Sequence, residues 1–150
     1  MQFVLDIVKL VDSMKVLQHG EFEITYAISP AVTNDELNPL FAAAWENHIF
    51  FDFSPVLEKS LAFVCAYHEN KLVGFVNLAW DGAQHAFVLD TTVHPQYRRL
   101  GIGVQLVREA VAVAKENKLD WVHVDFEPHL QEFYEKCGFR NTTAGLIKVG

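Results

Sequence analysis

Two glycines, Gly101 and Gly103, follow an arginine pair, Arg98 and Arg99, and this stretch has the clearest chemical meaning in the sequence. Ahead of it, FVLDTTV at 87–93 is rich enough in β-branched and aromatic residues for a strand, and Pro95 ends that strand by removing a backbone donor. Behind it, Val104, Val107, Val111 and Ala114 recur at helical spacing. The glycines therefore stand in a loop that feeds a helix N-terminus. Unpaired amides and the positive end of a helix dipole favour an anion there, and glycine lets the backbone approach it closely. A phosphate or diphosphate suits such a loop. The pattern is neither the nucleotide loop ending in Lys-Ser/Thr nor the three-glycine dinucleotide fingerprint.

Other residues could take part in chemistry around that loop. Alternation along the strand at 85–93 puts His85, Phe87, Leu89, Thr91 and Val93 on one face, and Val88, Asp90 and Thr92 on the other. His123 and Asp125 share a face of a later strand, LDWVHVDF, where burial is expected and unpaired polar groups would be costly. Structural pairing with each other's neighbours competes with proton relay or acceptor recognition. Leu130, Phe133, Tyr134 and Cys137 fall at three- and four-residue intervals, so PHLQEFYEKCGF reads as an amphipathic helix closed by Gly138. On spacing alone, Tyr134 is a core aromatic. The stretch WENHIFFDFSP concentrates Trp45, His48, Phe50, Phe51 and Phe53, which suits a core corner and an acceptor pocket equally. The histidines show no metal-ligand spacing, and neither do Cys65 and Cys137, so no metal and two reduced thiols are expected.

VHPQYR followed by Arg98-x-x-Gly101-x-Gly103 resembles the coenzyme A loop of the GCN5-related N-acetyltransferases (GNAT), and FYEKCGF at 133–139 resembles a second signature of that family. The resemblance covers most of the chain after Gly20. It implies acetyl-CoA as cofactor and transfer of an acetyl group to a primary amine of a small molecule or peptide, by direct attack in a ternary complex. It implies cofactor contacts along Thr91, Thr92 and Val93, the main chain of Thr91 and Val93 pairing with the acetyl and pantetheine groups. The diphosphate would rest on the amides of Arg98, Arg99, Leu100, Gly101, Ile102, Gly103 and Val104. It implies Tyr134 as a general acid, since a phenol with reference pKa near 10 can protonate a departing thiolate without itself being ionised. Trp45, His85, His123 and Asp125 fall on the expected acceptor side. The sequence departs from the family in two places. Phe87 and Leu89 occupy positions where members carry an acidic or histidine base, and Glu127 and His129 stand where many have an asparagine. The missing base keeps a second reading open, a CoA-binding sensor or regulatory module without turnover.

The elements that must position these groups give a mixed α/β fold. Glu21–Ile28 alternates as a strand. Thr33 or Asn34 caps a helix, two strands follow around a turn at Glu69-Asn70-Lys71, and Asp81-Gly82 turns into the strand at 85–93. These strands should form an antiparallel meander. The helical crossover after the glycine loop then makes a parallel pair with LDWVHVDF. The resemblance adds that this pair is splayed, with helices on both faces of the sheet, a GNAT-like acyl-CoA N-acyltransferase fold. Residues 140–150 are expected to supply closing strands. Residues 1–20 read as a helical extension to a domain at 21–150, because Phe3, Ile7, Leu10, Met14 and Leu17 make one apolar stripe, which either packs on its own domain or makes a homodimer contact.

With 150 residues, 51% hydrophobic and 13% aromatic, the chain has material for one core. Its net charge of −7 argues against nucleic acid, whose binding rests on Lys and Arg neutralising phosphates. Asp6, Lys9 and Asp12 interrupt the first apolar run, which fits neither a signal peptide nor a membrane span, and a cytoplasmic protein is expected.

Overall fold

The computed structural model describes residues 14–150. Among them, six strands form one sheet in chain order: β1 (Met14–His19), β2 (Phe22–Ile28), β3 (Ala62–His68), β4 (Lys71–Trp80), β5 (His85–Val93) and β6 (Trp121–His123). The first five are antiparallel neighbours, and β6 joins β5 in parallel. Helices α1 (Asn34–Ala44) and α2 (Ser54–Lys59) connect β2 to β3, α3 (Ile102–Glu116) connects β5 to β6, and α4 (Gln131–Lys136) follows β6. The architecture is the expected mixed one.

Two buried clusters mark the faces. Ile24, Tyr26, Val64, Val76, Leu78 and Val88 pack under α3 with Leu106, Val107, Ala110 and Val113. Leu37, Leu40, Phe41, Phe53, Cys65 and Phe75 pack under α1. Each fully buried large aliphatic side chain contributes roughly 1.5–3 kcal/mol. Gly74, midway along β4, sets how closely α3 lies. A Cβ there would stand 2.8 Å from Leu106 Cδ1 and 3.2 Å from Ala66 Cβ, so any other residue would force Leu106, and the α3 packing it belongs to, to give way.

Several expectations are corrected. Met14–His19 is strand rather than helix, and the rest of the proposed helical stripe lies outside the described residues. The segment fits a strand because Lys15, Leu17 and His19 turn toward α3 while Met14 and Val16 stay exposed; Lys15 Nζ meets Glu109 Oε1 at 2.6 Å. The strand LDWVHVDF shrinks to Trp121–His123 and forms the exposed outer edge of the sheet, so His123 and Asp125 are solvent-facing rather than buried. Among the described residues no strand pairs beyond it; residues 140–150 form none and remain exposed. Lys71 belongs to β4, opposite His68, which leaves Glu69 and Asn70 as the turn. SPVLEK at 54–59 forms a short helix that no expectation covered, with Pro55 in its first turn.

Candidate active site

The parallel pair begins to separate as soon as it forms. His85, Ala86 and Phe87 pair with Trp121, Val122 and His123, and the pairing stops there. Beyond Phe87, β5 runs on to Val93 held by β4 alone. This leaves main-chain groups on its other side facing a gap, at the carboxyl end of a strand where ligands in α/β sheets bind.

A bulge shapes the end of that strand. Asn77 pairs with Leu89 and Phe75 with Thr92, so β5 carries one extra residue there, and Asp90 takes the left-handed φ of +57°. The strict alternation read from the sequence therefore breaks at Asp90. Val88 lies under α3, whereas Thr92 faces α1: its hydroxyl accepts from Trp45 Nε1 at 2.9 Å and donates to the Asp90 carbonyl at 2.8 Å. Thr91 crosses to the α3 side, where Tyr134 Oη donates to Thr91 Oγ1 at 3.4 Å. Asp90, expected to share a face with Val88 and Thr92, stands at the crossover and is exposed. The surrounding protein still displaces enough hydration to raise its carboxyl above the usual carboxylate value. Asp52 and Asp81 behave oppositely. Hydrogen bonds, led by the Asn34 side chain for Asp52 and the His85 amide for Asp81, hold them low.

Tyr134 is buried on α4. Its ring stacks on Phe126 at 4.8 Å and meets Phe133 edge-on at the same distance. Burial raises the phenol above its usual value, with the Thr91 hydrogen bond opposing. Gly138, at φ +98°, ends the helix, and the Phe139 amide donates to the Tyr134 carbonyl. Cys137, on the same helix, is raised to about 11 by burial and is a poor nucleophile.

The glycine loop forms at Gly101, but α3 starts at Ile102, so Gly103, expected in the loop, lies buried in the first turn of the helix. A short 3-10 turn at Pro95–Tyr97 leads through Arg99, at φ +63°, to Gly101, at φ +85°, the residue before α3. Around Gly101 the space is open: an added Cβ would find nothing nearer than His19 Nδ1 at 3.8 Å. Gly103 is different, because its Cβ would meet Phe133 Cε2 at 3.0 Å, so α3 and α4 touch through it. Arg98 is partly occupied. Its guanidinium donates to the Ala44 carbonyl at 3.2 Å and to the Val93 carbonyl at 3.4 Å. The Val93 main chain is thus committed on its carbonyl side. Gln105 donates to Gly101 O at 3.1 Å, starting the α3 ladder, and the amides ahead of it remain the free donors that a helix start provides.

The expected acceptor residues divide into groups. His85 Nδ1 and His123 Nε2 lie 2.7 Å apart with rings stacked at 5.0 Å, and Phe87 also stacks with His123 at 5.0 Å. Trp45 is anchored to the bulge through Thr92 while its ring stays half exposed. Asp125 is exposed beyond the end of β6. Asn34 and Asn38 organise the aromatic stretch: Asn38 Oδ1 accepts from the Phe51 amide, and Asn34 Oδ1 from the Phe53 amide. This places Phe53 in the core and leaves Phe50 and Phe51 exposed. Two features escaped the sequence reading. Nothing there marked the bulge at Asp90, and His19 looked like part of an added segment. It touches the glycine loop, its Nδ1 lying 2.9 Å from Leu100 O.

Among the described residues no helix is long and apolar enough to cross a membrane, and no three histidine, cysteine or acidic side chains gather where they could hold a metal ion.

This arrangement recurs in known proteins. The GNAT protein SP0256 from Streptococcus pneumoniae TIGR4 superposes with a TM-score of 0.71 at 28% identity, over 85% of this chain and 98% of that one. A Bacillus subtilis acetyltransferase solved in complex with CoA superposes at 0.64 with 26% identity, over 79% of this chain and 77% of its own. An uncharacterized N-acetyltransferase, ycf52, of Pyropia yezoensis is 29% identical over 51% of this chain, and the matched stretch spans 44% of that relative's length. Residues 25–139, from within β2 to the close of α4, match the family described as Acetyltransferase (GNAT) family. Divided strand pair, glycine loop and phenol helix all lie inside that span, and the chain belongs to the GNAT acetyltransferase family.

Proposed function

We propose that this chain transfers an acetyl group from acetyl-CoA to a primary amine of a small molecule or peptide, by direct attack in a ternary complex. The observation that carries this reading is the end of β5–β6 pairing at Phe87, which opens main-chain groups of β5 immediately before a glycine loop with a free helix start. The chain's own groups fit the coenzyme. Free amides and the open space above Gly101 suit a diphosphate, and the unpaired side of β5 suits the amides of a pantetheine arm. When bound, acetyl-CoA supplies a thioester acyl group.

The protein's part is positioning and proton handling. Thr91 and Val93 present main-chain groups along the gap, and the residues from Arg98 to Val104 present amides at its end. Tyr134 holds a proton on Oη that its raised pKa keeps in place at neutral pH, ready for a thiolate, whose own reference value lies near 8.5. Asp90 is the base: at the bulge, one residue from the partner of the phenol, its carboxylate is raised by desolvation above the usual carboxylate value and can accept the proton that an alkylammonium must lose. Trp45, Phe87 and the His85–His123 pair line the acceptor side. A second reading, a CoA-binding sensor without turnover, draws on the apolar Phe87 and Leu89, each 40% exposed, at the positions where the family resemblance calls for a base. Thiol release from acetyl-CoA with a broad panel of amines decides between them. Release with at least one amine class is expected. Tight CoA binding without release across the panel would favour the sensor.

A further inference from the structure

His19 reaches the glycine loop from the far edge of the sheet. It closes β1 beside the turn at Gly20-Glu21, with Nδ1 2.9 Å from the Leu100 carbonyl oxygen and Nε2 2.7 Å from the Tyr26 hydroxyl. A carbonyl can only accept, so Nδ1 carries the proton, and in the neutral ring Nε2 then accepts from Tyr26. Tyr26 is 1% exposed and meets the imidazole edge-on, so the ring is fixed from behind. The turn presses on the loop as well: Gly20 is at φ +60°, and a Cβ there would lie 3.3 Å from Leu100 Cδ2.

The carbonyl of Leu100 and the amide of Gly101 belong to one planar trans peptide, so they point in opposite directions. Drawing the carbonyl back to His19 therefore aims the Gly101 N–H the other way. The flanking residues do not enforce this by themselves. Gly101, without a Cβ, tolerates either orientation of the peptide before it, and the flipped one would turn a carbonyl oxygen toward an incoming anion.

We infer that His19 is a positioning residue for the coenzyme: by holding the Leu100 carbonyl it keeps the Gly101 N–H turned to receive the diphosphate. This rests on the acetyl-CoA reading above. His19 also lies outside residues 25–139, the stretch that matches the family.

The experiment is a chemical-shift titration of the wild type, His19→Ala, His19→Asn and Tyr26→Phe with two ligands, CoA and S-acetyl-pantetheine, which lacks the diphosphate. The loss of one hydrogen bond that orients a charge-binding amide is expected to weaken CoA about tenfold in His19→Ala, with S-acetyl-pantetheine unchanged. The Gly101 amide signal should move in the free variant. His19→Asn, whose side-chain amide can donate to the same carbonyl, should recover most of the loss, and Tyr26→Phe should show a smaller loss in the same direction. A purely structural role would lower both ligands equally, and that result overturns the inference. So does unchanged CoA affinity in His19→Ala, or an asparagine variant no better than alanine. If His19→Ala does not fold, the asparagine and Tyr26→Phe variants decide by the same comparison of ligands. A wild type that binds neither ligand removes the acetyl-CoA reading itself, a different failure from any of these.

Discussion

The two sides of the β5–β6 gap are built from different materials. On the donor side the groups that would meet a ligand are main-chain amides, held by neighbours that are themselves paired: Arg98 on Ala44, His19 on Leu100, Thr92 on the Asp90 carbonyl. On the proposed acceptor side they are side chains, largely aromatic: Trp45, Phe87 and the stacked histidines. A main-chain site can persist while sequence varies, provided the glycines and the strand ends stay. A side-chain site changes its ligand with each substitution. The proposed donor side is accordingly the readable half of the site, and the proposed acceptor side is the half that must be measured.

The largest effects should come from filling the donor loop. Gly101→Val puts a β-branched residue at φ +85°, a strain of about 1–2 kcal/mol, and directs its methyls into the space above the loop amides. Loss of charge-assisted bonds to the diphosphate should lower CoA affinity about 100-fold, read by calorimetry. Gly103→Val acts through packing. Its Cβ is forced against Phe133, and overpacking of this kind costs roughly 1–3 kcal/mol, so thermal stability should fall together with affinity. A Gly101→Val protein that bound CoA normally would sever the loop from the donor site.

Tyr134→Phe comes next. Removing the phenolic proton should reduce kcat about 100-fold while CoA affinity stays within about twofold, because general acid catalysis is worth on the order of 10²–10⁴ and the ring packing is retained. Equal losses in turnover and affinity would make the residue a packing element only.

Asp90→Asn tests the boundary between the halves. Its folded pKa is raised, so the protonated form is favoured in the fold: the stability it contributes is complete below the unfolded carboxyl value, about 3.9, and is lost as pH rises through the higher folded value. The asparagine variant should therefore be as stable as wild type in acid and no less stable at neutral pH, which thermal midpoints at the two ends will show. In kinetics, the acidic limb of kcat/KM in the wild type should lie above the ordinary carboxylate range and vanish in the variant. Turnover of alkylamines should fall about tenfold or more, with a smaller loss for weakly basic amines that are already neutral. An unchanged acidic limb would remove Asp90 as the base.

The legible parts of the chain share a physical reason. The glycine loop, the helix behind it and the helix bearing Tyr134 are local: each is specified within a few residues by φ, capping and apolar spacing, and all three form where their residues indicate. The misread parts depend on partners distant in sequence. Met14–His19 satisfies helical and strand patterns alike, and its pairing with β2 and the Lys15–Glu109 contact decide for strand. The bulge at Asp90 is a mismatch of register between β5 and β4, invisible in either strand alone, and it reverses which residues face Tyr134. His19 could be connected to Leu100 only once the hairpin was folded over the loop. The edge position of β6 follows from residues 140–150 not pairing beside it, which no local pattern announces.

The smallest expected effect isolates the acceptor side. Trp45 stands at the end of α1, and its indole N–H is the contact that joins the aromatic stretch to the bulge, through Thr92. Trp45→Phe keeps an aromatic ring but removes that donor. Thr92 still donates to the Asp90 carbonyl, so the bulge should hold, and the loss of one neutral hydrogen bond is worth about 1 kcal/mol. Because the ring rather than the strand is released, the acceptor KM should rise about fivefold while CoA affinity and kcat at saturating amine change little. If CoA affinity fell instead, the bulge would depend on Trp45 to hold the donor strand, and the two sides of the gap would be one coupled unit rather than a fixed main-chain site facing an adaptable side-chain one.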